Sequence, residues 1–320
     1  MVYILLIIGF VCLVKGADFF VSGSSAIARY FSIPTFVIGL TIVAFGTSLP
    51  EAAVSMTAAL KGANGIAVGN VIGSNMFNLL IVLGASALIK ACPVSRDTLK
   101  FEYPLSIIAA VAVALMCIGK GSNALVLSRI DGVILLCIFV FFIFWTVKGV
   151  LMTKNQLAYE GETDDSAEPA MSPAKGAVYT VIGIAGIIIG GDVVVDSATE
   201  IAAAFGVDET LIGLTIVAMG TSLPELVTSV VAAFKGETDI AVGNVIGSNL
   251  FNLLFVLGIS TAIHPIHTTM YSVFDCMILI AVSLIIFIPL ARKKELTRGW
   301  GILLLILYAL YLAYIIMRTM

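Results

Sequence analysis

Two short segments bring hydroxyls and carboxylates into an otherwise apolar chain. Thr47, Ser48, Pro50 and Glu51 lie in "GLTIVAFGTSLPEAAVS" (Gly39–Ser55), and Thr221, Ser222, Pro224 and Glu225 lie in "GLTIVAMGTSLPELVTS" (Gly213–Ser229). On a helix, Thr47 and Glu51 (i, i+4) and Ser48 and Glu51 (i, i+3) face roughly one way. Pro50 has no N–H, and its ring clashes with the carbonyl of Gly46, a residue with no side chain to resist unwinding. The helix should break there and turn carbonyls near Ala44 to Thr47 out of its ladder. At membrane depth such backbone is tolerated only where it lines a cavity or is buried in protein. Hydroxyls, freed carbonyls and a carboxylate on one face make a hard oxygen site.

The carboxylate is the costly part. An acidic residue at the centre of a membrane helix costs about 2.5–3.5 kcal/mol on insertion scales. Glu51 and Glu225 would also repel each other across a shared site. A bound cation offsets both terms, and two carboxylates neutralise one divalent ion. Calcium takes six to eight oxygens in flexible geometry, whereas magnesium wants a strict octahedron and keeps its waters. Soft-ligand metals are disfavoured, because neither segment contains Cys or His.

A second motif supplies the neighbouring wall. "AVGNVIGSNMFNLLIVLG" (Ala67–Gly84) returns as "AVGNVIGSNLFNLLFVLG" (Ala241–Gly258). Gly69 with Gly73, and Gly243 with Gly247, form small-xxx-small faces that let helix backbones approach closely. Ser74 and Asn78, like Ser248 and Asn252, are i, i+4 pairs that can turn a hydroxyl and an amide oxygen toward the carboxylates. These neutral ligands suit monovalent ions such as sodium, so calcium and sodium would compete for overlapping oxygens.

The elements that must hold these residues are membrane helices. Of the 320 residues 60% are hydrophobic and 12% charged, against about a quarter charged in soluble domains. Ten apolar stretches approach the roughly 20 residues a span needs, near 2–28, 35–60, 66–89, 103–118, 130–150, 175–203, 210–234, 240–263, 274–290 and 299–317. The chain matches itself without gaps at an offset of 174 residues, and from Gly39 to Gly84 about three-quarters of positions are identical to their counterparts. Asp18 aligns with Asp192, and Lys61-Gly62 with Lys235-Gly236. Five spans per half is an odd number, so the second half enters the membrane inverted, and such repeats place a binding site at their interface near the midplane. The expected fold is an all-α polytopic membrane protein of ten transmembrane helices in two inverted five-helix repeats. Residues 1–150 form the first half and 175–320 the second. Between them, 151–174 is an acidic linker read as disordered and cytoplasmic, without EF-hand spacing.

Lys and Arg concentrate in the loops that are internal if the N-terminus is outside. Arg29, Lys90, Arg96, Lys100, Lys148, Lys154, Lys175, Lys235, Arg292 to Lys294 and Arg298 lie there, against Lys61, Lys120, Arg129 and Arg318 on the other side. The positive-inside rule then favours two external termini in a plasma membrane. The five cysteines are scattered and read as small core residues.

At these residues the chain resembles the prokaryotic sodium/calcium exchanger branch of the cation/calcium antiporter superfamily. "GTSLPE" with "GNVIGSNMFN", and "GTSLPE" with "GNVIGSNLFN", look like its first and second alpha-repeats, and the resemblance runs through all ten spans. It implies an electrogenic antiporter that exchanges calcium for sodium by alternating access. Glu51 and Glu225 would be the shared calcium ligands, with the carbonyls of Thr47 and Thr221. Sodium would use the Ala44 and Ala218 carbonyls, Ser48, Ser74, Thr221, Ser222 and Ser248. Asn78 and Asn252 fall at the central position that carries Asp in potassium-dependent relatives and in some prokaryotic members, and Asn at both places argues against potassium co-transport. The first and sixth spans are the expected moving pair. A monomer is expected, with the bilayer and the two ions as partners, no nucleic acid and no cofactor.

Other readings fit less well. An intramembrane hydrolase needs a base beside its nucleophile, and the motifs offer no His or Lys. A channel could use a ring of acids, but inverted repeats with broken helices suit alternating access. A proton-coupled calcium exchanger is the serious alternative, although that branch shows Asn-Ala before its Glu where this chain has Thr-Ser-Leu-Pro. Lys15, Asp18, Asp192 and Asp196 read as an interfacial patch or ion pairs, His264 and His267 as solvated loop residues, and Asp131 and Asp275 as helix-start acids.

Overall fold

A computed structural model describes residues 1–31, 33, 35–94, 96–118, 125–160, 171–205 and 218–319. Helix α1 (Val2–Tyr30) is followed by a bent pair, α2 (Thr35–Thr47) and α3 (Leu49–Leu60). Then come α4 (Asn64–Ile89), α5 (Glu102–Ile118), α6 (Arg129–Glu160) and α7 (Pro173–Ala204). A three-residue piece, Ala218–Gly220, leads into α8 (Leu223–Lys235), α9 (Thr238–Ile263), α10 (Met270–Lys293) and α11 (Arg298–Thr319). Eight helices among the described residues are long and apolar enough to cross a membrane, and α2 with α3 makes a ninth. The expected span over 210–234 begins outside the described residues and continues in Ala218–Gly220 and α8.

One expectation needs correction. Residues 151–160, read as the start of a disordered linker, continue α6 to Glu160. "LMTKNQLAYE" contains no Gly or Pro and is rich in good helix formers, so its polarity alone was a poor guide. Residues 161–170 of that linker lie outside the described residues.

The break in the second span falls at Ser48 (φ −90°, ψ 9°) and bends the helix by 48°. Pro50 sits in the first turn of α3, where a missing N–H costs nothing and the fixed φ suits helix initiation. The interruption is narrower than expected, since the Ser48 amide still donates to the Ala44 carbonyl at 3.1 Å. Pro50 has no N–H to offer the Gly46 carbonyl. Ser222 (φ −93°, ψ 5°) repeats this geometry before α8. Among the described residues are three π-helical turns that no residue pattern announces: Gly39–Val43 in α2, Asn78–Val82 in α4 and Phe251–Val256 in α9. The latter two begin at or beside the equivalent Asn78 and Asn252.

The core is built around α9, whose apolar window is 94% buried, against 11% for the peripheral α11. Gly243 and Gly247 allow this burial. A Cβ at Gly243 would fall 2.5 Å from the Phe36 carbonyl, and one at Gly247 would strike the Leu40 carbonyl. For Gly69 and Gly73 nothing lies within 4 Å of such a Cβ, and the counterparts of Phe36 and Leu40 fall at 210 and 214, outside the described residues.

Helices α1 and α7 pack along their length. A Cβ at Gly23 would lie 2.5 Å from the Gly176 carbonyl, one at Gly183 2.5 Å from the Phe20 amide, and one at Gly190 2.6 Å from the Leu13 amide. Rising numbers on one helix meet falling numbers on the other, so the pair is antiparallel. Two short antiparallel strand pairs tie loops together: β1 (Cys92–Pro93) with β4 (Glu295–Leu296), and β2 (Val126–Leu127) with β3 (Ile266–His267). Facing outward, α1, α6 and α11 carry exposed Ile, Leu and Phe side chains such as Ile4, Phe144 and Leu310, as lipid-facing helices do.

Candidate functional site

Glu51 and Glu225 each lie in the first turn of a helix that starts mid-chain, α3 and α8. Both side chains are fully buried. The helix N-terminus favours an acid there, but only by a few tenths to about 1 kcal/mol, far from the cost of burying a carboxylate. The remaining compensation comes from across the repeat. Ser48 Oγ donates to Glu225 Oε1 at 2.6 Å, and Ser222 Oγ donates to Glu51 Oε1 at 2.9 Å. Each serine therefore serves the carboxylate of the other half. The i, i+3 spacing suggested that Ser48 and Glu51 act together within one half; the bend at Ser48 instead sends the serine across. Ser248 Oγ adds a longer contact to Glu225 Oε1 at 3.4 Å.

The hydroxyl of Thr47 lies 3.1 Å from the Val43 carbonyl and 3.2 Å from Asn244 Oδ1. Its counterpart Thr221 donates to Asn70 Oδ1 at 3.4 Å. Asn70 Nδ2 in turn donates to the Glu51 carbonyl at 3.2 Å and to Ser55 Oγ at 2.9 Å. Asn244 does the same with the Glu225 carbonyl at 3.4 Å and Ser229 Oγ at 2.9 Å. These two amides strap each carboxylate-bearing helix to its neighbour and to the opposite threonine. Asn78 Nδ2 donates to Asn249 Oδ1 at 3.2 Å, and Asn252 Nδ2 donates to Asn75 Oδ1 at 3.3 Å.

Five oxygens among these residues are buried without a hydrogen-bond partner: Glu51 Oε2, Glu225 Oε2, Ser74 Oγ, Asn78 Oδ1 and Asn252 Oδ1. Buried polar atoms are rarely left so. The orphans are all oxygens and two belong to carboxylates, a donor set whose chemistry suits a hard cation. Of the anticipated residues, Thr47, Ser48, Glu51, Ser74, Asn78, Ser222, Glu225, Ser248 and Asn252 are buried, and Thr221 is half-buried. Ala44 is buried with one lone pair of its carbonyl taken by Ser48, and Ala218 opens the three-residue piece before Thr221. Asn70, Asn75, Asn244 and Asn249 were not singled out. Their signal was present, since all four are identical across the repeat, but an asparagine that ligates and one that orients look alike in sequence.

The polar pairs outside the site differ in partner rather than in kind. Asp18 pairs with Lys235 at 2.7 Å, not with Lys15. Asp275 pairs with Arg318 through both carboxylate oxygens, at 2.7 and 3.1 Å. Asp131 Oδ2 accepts from the Ser128 amide at 2.6 Å in a helix-start box. His264 and His267 are exposed.

Broken helices around a buried, reciprocally bonded carboxylate pair define a membrane transporter for cations. The profile of the family described as sodium/calcium exchanger protein matches residues 1–148 and 175–317, and the chain belongs to that family. It is 42% identical over 267 residues to the putative antiporter CaxA of Alkalimonas amylolytica, covering 82% of this chain and 81% of that protein. It is 33% identical over 341 residues to the sodium/calcium exchanger MaX1 of Methanosarcina acetivorans, covering 97% of each. A solved structure of the sodium–calcium exchanger NCX_Mj, soaked with 2.5 mM Na+ and 0.1 mM Ca2+, superposes with a TM-score of 0.82 at 34% identity, covering 96% of each chain.

Proposed function

We propose that this protein exchanges calcium for sodium across a plasma membrane by alternating access. The observation that carries the reading is the cross-repeat bonding of Ser48 to Glu225 and Ser222 to Glu51, next to unpartnered buried oxygens. Glu51 and Glu225, with the Thr47 and Thr221 carbonyls, bind one calcium between the two halves. The Ala44 and Ala218 carbonyls, Ser48, Ser74, Thr221, Ser222 and Ser248 bind sodium, and Asn78 and Asn252 contribute neutral oxygens beside the carboxylates. Calcium and sodium cannot occupy these oxygens together, which couples their movements. More than two sodium ions exchange for each calcium, so the cycle moves net charge. The ions are cargo, no cofactor or chemical step takes part, and a single chain holds the whole site.

The architecture is ten spans in two inverted halves with both termini external. Several contacts support it. The equivalent helices α1 and α7 run antiparallel. The strand pair β1–β4 joins the third-to-fourth loop to the last loop, while β2–β3 joins their counterparts from the opposite halves. In a ten-span path each pair has both members on one side. The Arg29–Glu237 pair, 3.2 Å long, likewise joins two loops expected inside.

Access changes when α1 and α7 slide as one unit over the core. Lys235 Nζ is 2.7 Å from the Asp18 carboxylate and 2.6 Å from Ser22 Oγ, which fastens α1 to the end of α8. The repeat counterparts Lys61, Asp192 and Asp196 are exposed, and among the described residues they form no ion pair. One fastening is made and its twin is open, as an alternating cycle requires. Radiolabelled calcium uptake into sodium-loaded proteoliposomes tests the function. Uptake that needs internal sodium, survives a protonophore and ignores potassium is expected. Uptake driven by a proton gradient alone would move the protein to proton-coupled exchange.

A further inference from the structure

We propose that Asn75 and Asn249 are positioning residues that determine which end of the Asn78 and Asn252 amides faces the transported ions. This rests on the exchange reading above. A side-chain amide has one end that ligates a cation and one that repels it, and the two are almost the same size. Packing alone therefore does not choose between them. In a site that relies on neutral oxygens beside its two carboxylates, a reversed amide would replace a ligand by a like-signed dipole.

The choice is made by a relay that starts at backbone. Asn75 Nδ2 donates to the Asn249 carbonyl at 3.4 Å, and Asn249 Nδ2 donates to the Asn75 carbonyl at 3.5 Å. A backbone carbonyl can only accept, so each of these amides must turn its NH2 toward it. That leaves Asn75 Oδ1 and Asn249 Oδ1 pointing away, where they accept from Asn252 Nδ2 and Asn78 Nδ2. With their donors engaged, Asn78 and Asn252 present Oδ1, and both of those oxygens are buried and unpartnered. All four residues are at most 1% exposed, so bulk water does not compete for the orientation. Every link crosses from one half to the other, and the relay also registers the two halves at the site.

The test uses an aspartate, which presents oxygen whichever way it turns. Sodium half-saturation of calcium uptake is measured in proteoliposomes for wild type, Asn249→Ala, Asn78→Asp and the double variant. Asn249→Ala alone is expected to raise sodium half-saturation by up to about tenfold, the upper end for one lost hydrogen bond between neutral groups. Within the Asn78→Asp background the same substitution is expected to change half-saturation less than about twofold, the scatter of an uncoupled pair. An equal effect in both backgrounds would overturn the positioning role, because a packing defect is indifferent to the residue at 78. If Asn249→Ala fails to fold, Asn75→Ala with Asn252→Asp reads the mirror-image relay. Wild type without sodium-dependent exchange would remove the underlying reading and this inference with it; wild-type exchange with an unrescued Asn249→Ala removes only the inference.

Discussion

Replacing Glu225 by Gln keeps the side chain's shape and removes one charge from the pair. Gln keeps a carbonyl oxygen that can accept from Ser48 at the 2.6 Å position. Its NH2, however, takes the place of Glu225 Oε2, the oxygen without a partner. Losing one member of a buried charge pair typically costs about 2–5 kcal/mol. At about 1.4 kcal/mol per decade, calcium binding should weaken by between about thirty-fold and a few thousand-fold. Without cations the sign reverses. A lone carboxylate at a helix centre costs about 2.5–3.5 kcal/mol, so the variant should melt higher than wild type in chelator. Thermal unfolding in detergent, titrated with calcium, reads both effects at once. Wild type should start lower and rise steeply with calcium, and Glu225→Gln should start higher and barely rise. Glu51→Gln should behave alike, because Ser222 gives Glu51 the matching bond at 2.9 Å. A calcium response within threefold of wild type in either variant would refute the shared site.

The serine crossing yields a sharper pairing test. Ser48→Ala should weaken calcium binding by about 1.5–3 kcal/mol, the range for a hydrogen bond to a charged group, and its effect should be non-additive with Glu225→Gln yet nearly additive with Glu51→Gln. A same-half pairing in the double-mutant cycles would contradict the geometry. Cysteines at Asp18 and Lys235 should cross-link in the conformation described here, and cysteines at Lys61 and Asp192 only in the opposite one, so conditions that raise one yield should lower the other. Both pairs linking in a single conformation would end the two-fastening scheme. At the α1–α7 contact, Gly183→Val would press a side chain onto the Phe20 backbone, since even a Cβ falls at 2.5 Å. Overpacking of about 1–3 kcal/mol is expected, read as a lower melting temperature with calcium affinity preserved in the folded fraction.

How far the site could be read from sequence depended on the physics behind each feature. Pro50 and Pro224 announce a helix interruption because proline acts on the chain locally, and the interruptions are there. Its width was misjudged, because proline placed in the first turn of a new helix disturbs only the turn behind it. Glu51 and Glu225 stand out in the sequence because a carboxylate in an apolar run is too costly to keep unless it binds something. Their partners were not legible. Whether Ser48 serves its own glutamate or the opposite one depends on the bend at Ser48 and the distance between halves, neither of which a periodicity encodes. The π turns at Gly39, Asn78 and Phe251 are similarly silent, since they change one hydrogen-bond register without any special residue. Asn75 and Asn249 stood in the motif from the start. Only the relay of donors and acceptors distinguishes them from Asn78 and Asn252.

The shared site is most directly examined by equilibrium binding of radiolabelled calcium to purified protein, with sodium or potassium as competitor. One calcium per chain is expected, displaced cooperatively by sodium, untouched by potassium, and lost in both Glu51→Gln and Glu225→Gln. Two independent calcium ions per chain, or one that sodium fails to displace, would contradict a single site built from both halves.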